Sequence, residues 1–318
     1  MHRLSWVTRI ALGVGMMAVA ACGERGPSAS AGRTGPRTAF SGDAALGYVR
    51  EVMAFGPRVP GTEGHRRAGE WIAAQMQQRA DAVVLQEWTH RTAAGDSLPM
   101  RNVLARFRPA ATERVLYVTH WDTRPISESA LDPAQRNTPV PGANDGGSGV
   151  GLFLALGDVL KRTPPAVGVD LLFVDGEDYG NFADHEDVFI GSTYFADHLP
   201  APDYRPLYGV VWDMIGDRNL QLYYEVNSFE QAPEVVARVW RTAEELGYGQ
   251  YFIQQPKHTI EDDHIPLLRK GLRVIDVIDF DYGPDSTRTY HHTPDDTIDK
   301  ISAASLQVVG DVATKLVM

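Results

Sequence analysis

Six short stretches of the chain carry residues able to hold a metal ion or move a proton. They are His120-Trp-Asp122, Asn144-Asp145-Gly-Gly-Ser-Gly149, Asp175-Gly-Glu177-Asp178, Asp213 within Val210-Val-Trp-Asp-Met-Ile-Gly216, Glu261-Asp-Asp-His264, and Tyr290-His291-His292-Thr-Pro. Imidazoles and carboxylates together make the N/O donor set of a divalent-metal site. Each stretch alone has an ordinary reading. Asp262 and Asp263 suit the first turn of a helix, where the dipole favours acids; Glu177-Asp178 suits a polar loop and His292 a surface loop. Asp213 is different, because an ionised carboxylate inside an apolar run is costly unless a cation answers it.

The elements that must position these residues are legible from periodicity. Residues 114–119 (RVLYVT) form a β-branched and aromatic run that reads as a buried strand, with His120 and Asp122 at its end on one face. Asn144-Asp145 with two glycines is a tight turn, and an apolar helix follows from Ser148. Further strands are predicted at 82–88, 102–107, 169–174, 208–214, 220–226 and 274–280. Helices are predicted at 42–55, 65–79, 148–161, 192–198, 233–246, 265–270 and 302–317. The early strands read as an antiparallel start and the later ones as βα units, giving an α/β fold with a mixed, mostly parallel sheet sandwiched by helices. In such folds ligands bind at the carboxyl ends of the strands, where these stretches fall.

Competing motifs fail on inspection. Gly147-Ser-Gly149-Val-Gly151 lacks the Lys-Ser/Thr of a phosphate loop and the later glycine of a dinucleotide fingerprint. A nucleophile elbow on Ser148 would need glycine at 150, which is Val. No stretch matches the twelve-residue calcium loop.

The 318 residues are 43% hydrophobic and 22% charged, which is ordinary for a soluble globular protein with a sizeable core. A basic start followed by the apolar run 10–21 reads as an export signal, too short to span a membrane. The single cysteine, Cys22, follows Val19-Ala-Ala21 as in a bacterial lipobox, so lipidation there is expected. With one cysteine there is no intramolecular disulfide. Residues 22–40 are rich in Gly, Pro, Ser and Arg and read as a tether, with the folded domain at 41–318. Removing residues 1–21 takes away Arg3 and Arg9 and no acid, deepening the net charge from −11 to −13. That charge argues against nucleic acid as a partner.

Taken together, His120-x-Asp122, Asn144-Asp-Gly-Gly-Ser-Gly149, Gly176-Glu-Asp178, Asp213-Met-Ile-Gly216 and His292-Thr-Pro-x-Asp-Thr297 resemble the M28 zinc-peptidase family. Within it, His120-Trp-Asp-Thr-Arg-Pro125, Asp175-Gly-Glu-Asp-Tyr-Gly180 and Glu261-Asp-Asp-His-Ile-Pro266 resemble bacterial glutaminyl-peptide cyclotransferases of the animal type. The resemblance covers roughly residues 42–318.

The resemblance implies one zinc held by Asp145, Asp178 and His292, with a position left open for substrate. Two-zinc aminopeptidases of the family also use His120 and Asp213, so these are candidates for a second metal. Asp178 replaces the glutamate of many aminopeptidases, and His291 stands where animal cyclases carry tryptophan. Trp121, Asp122, His264 and His291 are expected in the substrate pocket. The implied reaction converts an N-terminal glutamine to pyroglutamate with release of ammonia, and Glu177 carries the proton from the attacking amine. Asp213 and Asp262 are expected to tune Glu177, since clustered carboxylates raise one another's pKa. In the alternative, a zinc aminopeptidase, Glu177 would activate a water; a non-catalytic binding lipoprotein is a third reading. Expected partners are peptide or protein N-termini and, through the lipid anchor, a bacterial membrane facing the periplasm or exterior. A monomer is expected.

Overall fold

The computed structural model of the chain describes residues 38–285 and 287–318, so the expected signal segment, Cys22 and most of the tether lie outside the described residues. The folded body begins before Ser41. Thr38 donates through its backbone N–H and its hydroxyl to Asp311, and Phe40 is buried against Gly310, whose missing side chain leaves room for the ring. The last three tether residues therefore belong to the domain.

Six strands form the main sheet in the order β1-β2-β4-β3-β5-β8. They are β1 (Ala82–Arg91), β2 (Ser97–Phe107), β3 (Arg114–His120), β4 (Gly168–Val174), β5 (Tyr208–Asp213) and β8 (Val274–Ile278). β1 and β2 form an antiparallel hairpin and β2 runs antiparallel to β4; β4, β3, β5 and β8 are mutually parallel. β3, β4, β5 and β8 are buried along their whole length, as continuous apolar runs require when both faces are covered. In β3 the alternation is visible in the packing. Val115 and Tyr117 face the larger core with Phe153 and Trp212, while Leu116 and Val118 face the smaller one with Phe195 and Leu267.

Helices α1 (Gly42–Met53), α2 (Glu63–Gln77), α3 (Gly147–Arg162), α6 (Pro233–Glu245) and α8 (Ala303–Lys315) contribute buried residues to the larger core. α4 (Ile190–Asp197) and α7 (His264–Arg269) cover the opposite face. Ser41, Thr62 and Ser302 cap α1, α2 and α8 by accepting backbone N–H bonds.

The strand expected at 220–226 is shorter and lies elsewhere. Leu222–Tyr224 (β6) pairs in parallel with Phe252–Pro256 (β7), a strand not expected, as a separate two-stranded sheet. The reason is topological, because β5 already has β3 on one side and β8 on the other. The chain then turns into α5 (Val226–Gln231), where Glu225 caps the helix by accepting from the N–H groups of Asn227 and Ser228. Among the described residues no helix is long and apolar enough to cross a membrane.

Candidate active site

His120 is the last residue of β3, Asp213 the last of β5, and Glu177-Asp178 come just after β4, beyond Asp175 and Gly176. The parallel strands therefore deliver these side chains to one edge of the sheet. The turn bearing Asp145 reaches the same edge because Gly146 adopts φ 74° before α3 begins. A Cβ at Gly146 would come within 2.7 Å of the Asp122 carbonyl oxygen and 3.0 Å of the His120 ring, so glycine is required twice over. Asp296 fixes the turn from the other side. It accepts from the N–H groups of Asn144 (2.9 Å) and Asp145 (3.2 Å) and from the Tyr282 hydroxyl (2.7 Å).

Asp145, Glu177 and Asp213 line a cavity of about 720 Å³. Its polar wall includes Asp145, Glu177, Asp213, Asp262, His291 and His292; its apolar wall is Ile126, Phe182, Met214, Ile260, Ile278 and Phe280. His292 Nε2 lies 3.1 Å from Asp178 Oδ1 and 3.8 Å from Asp145 Oδ2. Its Nδ1 lies 2.9 Å from Glu128 Oε1, which holds the ring with Nε2 directed at the carboxylates. Arg124 ties the same corner together, donating to the Asp178 carbonyl and Oδ1 and to Glu128.

On the far side of Asp145, His120 Nε2 is 3.1 Å from Asp145 Oδ1 and 3.1 Å from Asp213 Oδ1. Two groups of possible ligands thus share Asp145, one with His291 and His292 and one with His120 and Asp213. Asp178 joins the first through His292. Asp145 Oδ2 and Asp178 Oδ2 are buried and accept no hydrogen bond from the protein. An N/O donor set with unanswered carboxylate oxygens fits zinc.

The electrostatics among these side chains point the same way. Burial works against ionising Asp145, yet His120, with His291 and His292 behind it, holds its carboxyl well below the usual range. Burial would lower His292, but Asp178 and Glu128 raise it to about 10. His291 is pushed down to about 3 by burial and by the charge of His292, so it remains a neutral donor. Burial pushes Glu177 well above the ordinary carboxylate; His120 opposes this and Asp178 and Asp262 add to it. Burial and the charge of Asp213 raise Asp262 to about 6.

Three expected pocket residues do not line the cavity. Trp121 turns to the opposite side of the chain, stacking on His65 at 4.4 Å and donating to the Arg101 carbonyl. Asp122 is wholly buried and works from beneath, accepting from the N–H groups of Glu177 (3.1 Å) and Asp178 (3.2 Å). His264 is also wholly buried, 3.3 Å from Glu225. His291 does line the cavity, its ring 5.2 Å from Phe280. Sequence reasoning assigned no role to Arg124, Glu128, Asp296 or Phe182. Arg124 and Asp296 stand inside motifs already singled out, whereas Glu128 and Phe182 lie in loops without periodicity.

Residues 102–317 match peptidase family M28. The chain is similar to a glutaminyl cyclase of Porphyromonas gingivalis, with 36% identity and a TM-score of 0.83 over 87% of this chain and 97% of that one. It is also similar to a leucine aminopeptidase precursor of Bacteroides thetaiotaomicron, with 32% identity and a TM-score of 0.82 over 89% of this chain and 97% of that one. Aminopeptidase YwaD of Bacillus subtilis is 27% identical over 77% of this chain, which spans only 48% of that longer protein. A mostly parallel sheet with its ligand-type residues at the strand ends, matched along two thirds of the sequence and by structures throughout the body, makes this chain a member of peptidase family M28.

Proposed function

We propose that the protein is a zinc-dependent glutaminyl-peptide cyclotransferase acting on the N-termini of peptides or proteins. The observation that carries this reading is a third carboxylate. The Glu261-Asp-Asp-His-Ile-Pro turn brings Asp262 into the cavity wall with Glu177 and Asp213, and its Oδ2 has no partner in the protein. Likeness to a bacterial glutaminyl cyclase along nearly its whole length supports the same reading.

Asp145, Asp178 and His292 would hold the zinc, which when bound supplies Lewis-acid polarisation of the γ-carboxamide. Glu177 takes the proton from the substrate's own α-amine and hands it to the departing ammonia. The negative charge of Asp262 makes Glu177 more basic, as suits a group that must collect a proton from an amine. Both reacting groups belong to one residue, so the apolar wall of Phe182, Ile260, Ile278 and Phe280 contributes by holding it folded and excluding water.

A second reading, an aminopeptidase, is favoured by one observation: His120 and Asp213 form with Asp145 a second possible metal position. Two metals would suit a water nucleophile. Purified zinc-loaded protein given Gln-initiated and Leu-initiated peptide amides separates the two. Ammonia and a pyroglutamyl product are expected; release of free leucine as the main reaction would overturn the cyclase reading. His120→Ala is expected to leave the zinc content of the protein unchanged, whereas loss of one zinc on that substitution would favour the aminopeptidase.

A further inference from the structure

Away from the cavity, one buried imidazole touches the chain beside both His120 and Glu177. His65 lies in the first turn of α2, where Thr62 caps the helix by accepting its backbone N–H. Its ring stacks on Trp121, the residue after His120, at 4.4 Å and 14°. Its Nε2 lies 2.7 Å from Oδ1 of Asp175, two residues before Glu177. Asp175 is wholly buried, and its other oxygen accepts from the Arg101 N–H at 2.7 Å. With both carboxylate oxygens serving as acceptors, His65 donates from Nε2.

The placing of Glu177 depends on such an anchor. Asp178 is tied through its own carboxylate to Arg124 and lies against His292. The Glu177 carboxylate is 3.8 Å from His120 Nδ1, beyond hydrogen-bond reach, so its place is set by the chain that carries it. That chain turns at Gly176 with φ 70°, where a Cβ would come within 2.3 Å of Met100 Cε. Beyond the turn, Asp122 accepts the Glu177 N–H, and the Gly176 and Glu177 carbonyls accept from Ile190 and Phe189. Before the turn, Asp175 is the fixed point, and the bond from His65 joins it to α2. The same ring backs Trp121, whose backbone N–H donates to the Val174 carbonyl and ties the end of β3 to that of β4. One side chain thus braces the exits of two adjacent strands.

We propose that His65 is a positioning residue for the proton carrier: through Asp175 and Trp121 it sets where Glu177 stands relative to His120 and the substrate. It touches no reacting atom. This role rests on Glu177 being the proton carrier, which serves the cyclase and the aminopeptidase readings alike. Misplacing such a group by about 1 Å costs on the order of 100-fold in rate, while the cavity walls and the metal donors stay as they were.

Two substitutions separate the ring's two contacts. His65→Phe keeps the stack on Trp121 and removes the donor, whereas His65→Gln removes the ring and keeps a donor toward Asp175. Each is assayed as the zinc-loaded full chain on the peptide amide, Gln-initiated or Leu-initiated, that the parent turns over, with bound zinc counted alongside. His65→Phe should lose about 100-fold in kcat with KM and zinc content unchanged, and His65→Gln should recover most of that loss. A folded His65→Phe protein with the parent's kcat, or one that has lost its zinc, overturns the proposal. So does a kcat equally low in both variants, which would reduce the ring to packing. Should His65→Phe not fold, His65→Ala is assayed with added imidazole, for which a cavity of about 370 Å³ beside Trp88, Arg101 and Trp121 leaves an entry. A kcat that rises with imidazole and saturates supports the role, and one that does not move overturns it. Failure of the underlying reading shows elsewhere. An active Glu177→Gln protein removes the proton carrier itself, whereas an inactive one beside a fully active His65→Phe removes only the role of His65.

Discussion

Glu177 and Asp178 are neighbours in sequence, yet they part company in space. Asp122 accepts from both of their backbone N–H groups, which fixes the chain as it leaves β4. From that fixed point Asp178 reaches His292, while Glu177 enters the cavity with one oxygen 3.8 Å from His120 Nδ1. Substituting Glu177, the proposed proton carrier, should therefore spare the proposed metal ligands. Glu177→Gln keeps the shape of the side chain and is expected to lower kcat by about 10²–10⁴ while bound zinc stays at the parent's level. Parallel measurement of ammonia release and zinc content checks it, and near-full activity would show that another group carries the proton.

At the scale of elements, the site depends on turns held from outside. Asp296 holds the Asn144-Asp145 turn, and buried Arg58 ties two loops by donating to the Trp121 and Gly142 carbonyls. Asp296→Asn should keep the fold but loosen the turn, weakening zinc affinity by about 10–100-fold, as loss of supporting partners usually does. Competition with a chromogenic chelator reads this directly.

The elements that could be read from sequence are those whose packing leaves a period. β3, β4 and β5 are mostly apolar buried runs, broken inside β4 by Asp170, which Arg114 answers, so His120, Glu177-Asp178 and Asp213 are legible from sequence as residues at strand ends. Trp121 is expected in the pocket only through the resemblance; the alternation that sets His120 and Asp122 on one face already turns Trp121 to the other, where it stacks on His65. β7 escaped notice because its Ile-Gln-Gln-Pro stretch is half exposed and pairs with only one neighbour. Glu128 was invisible for a plainer reason. Its role exists only through His292, a residue far along the chain that the fold brings to it.

Across the whole molecule, the excess of acid is partly internal, and this carries a pH dependence. In the metal-free protein, burial, then Asp262 and Glu225, hold the Asp276 carboxyl well above its ordinary 3.8. The folded state then binds a proton that the unfolded chain has lost, so stability falls as pH rises from about 4 upward. Metal-free Asp276→Asn lacks that proton exchange and should show a flatter fall of Tm over this range than the metal-free parent. An identical slope would mean that Asp276 is ionised in the folded state. At the other end of the chain, we propose Cys22 as the site of lipid attachment. Cys22→Ser is expected to give a soluble protein with unchanged activity, since no cavity residue lies before Arg124. Fractionation of cells producing each form tests this, and a membrane-bound Cys22→Ser protein would refute it.

The order in which the site's parts occur along the chain has a kinetic consequence. Asp145 follows the third strand, Asp178 the fourth, and His292 comes only after the last strand of the sheet. No contiguous segment holds the donors, so the metal has nothing to grip until the sheet has closed. Zinc then acts on the finished structure alone. It should slow unfolding and raise Tm with metal concentration, while refolding of the metal-free chain proceeds at nearly the same rate whether or not zinc is present.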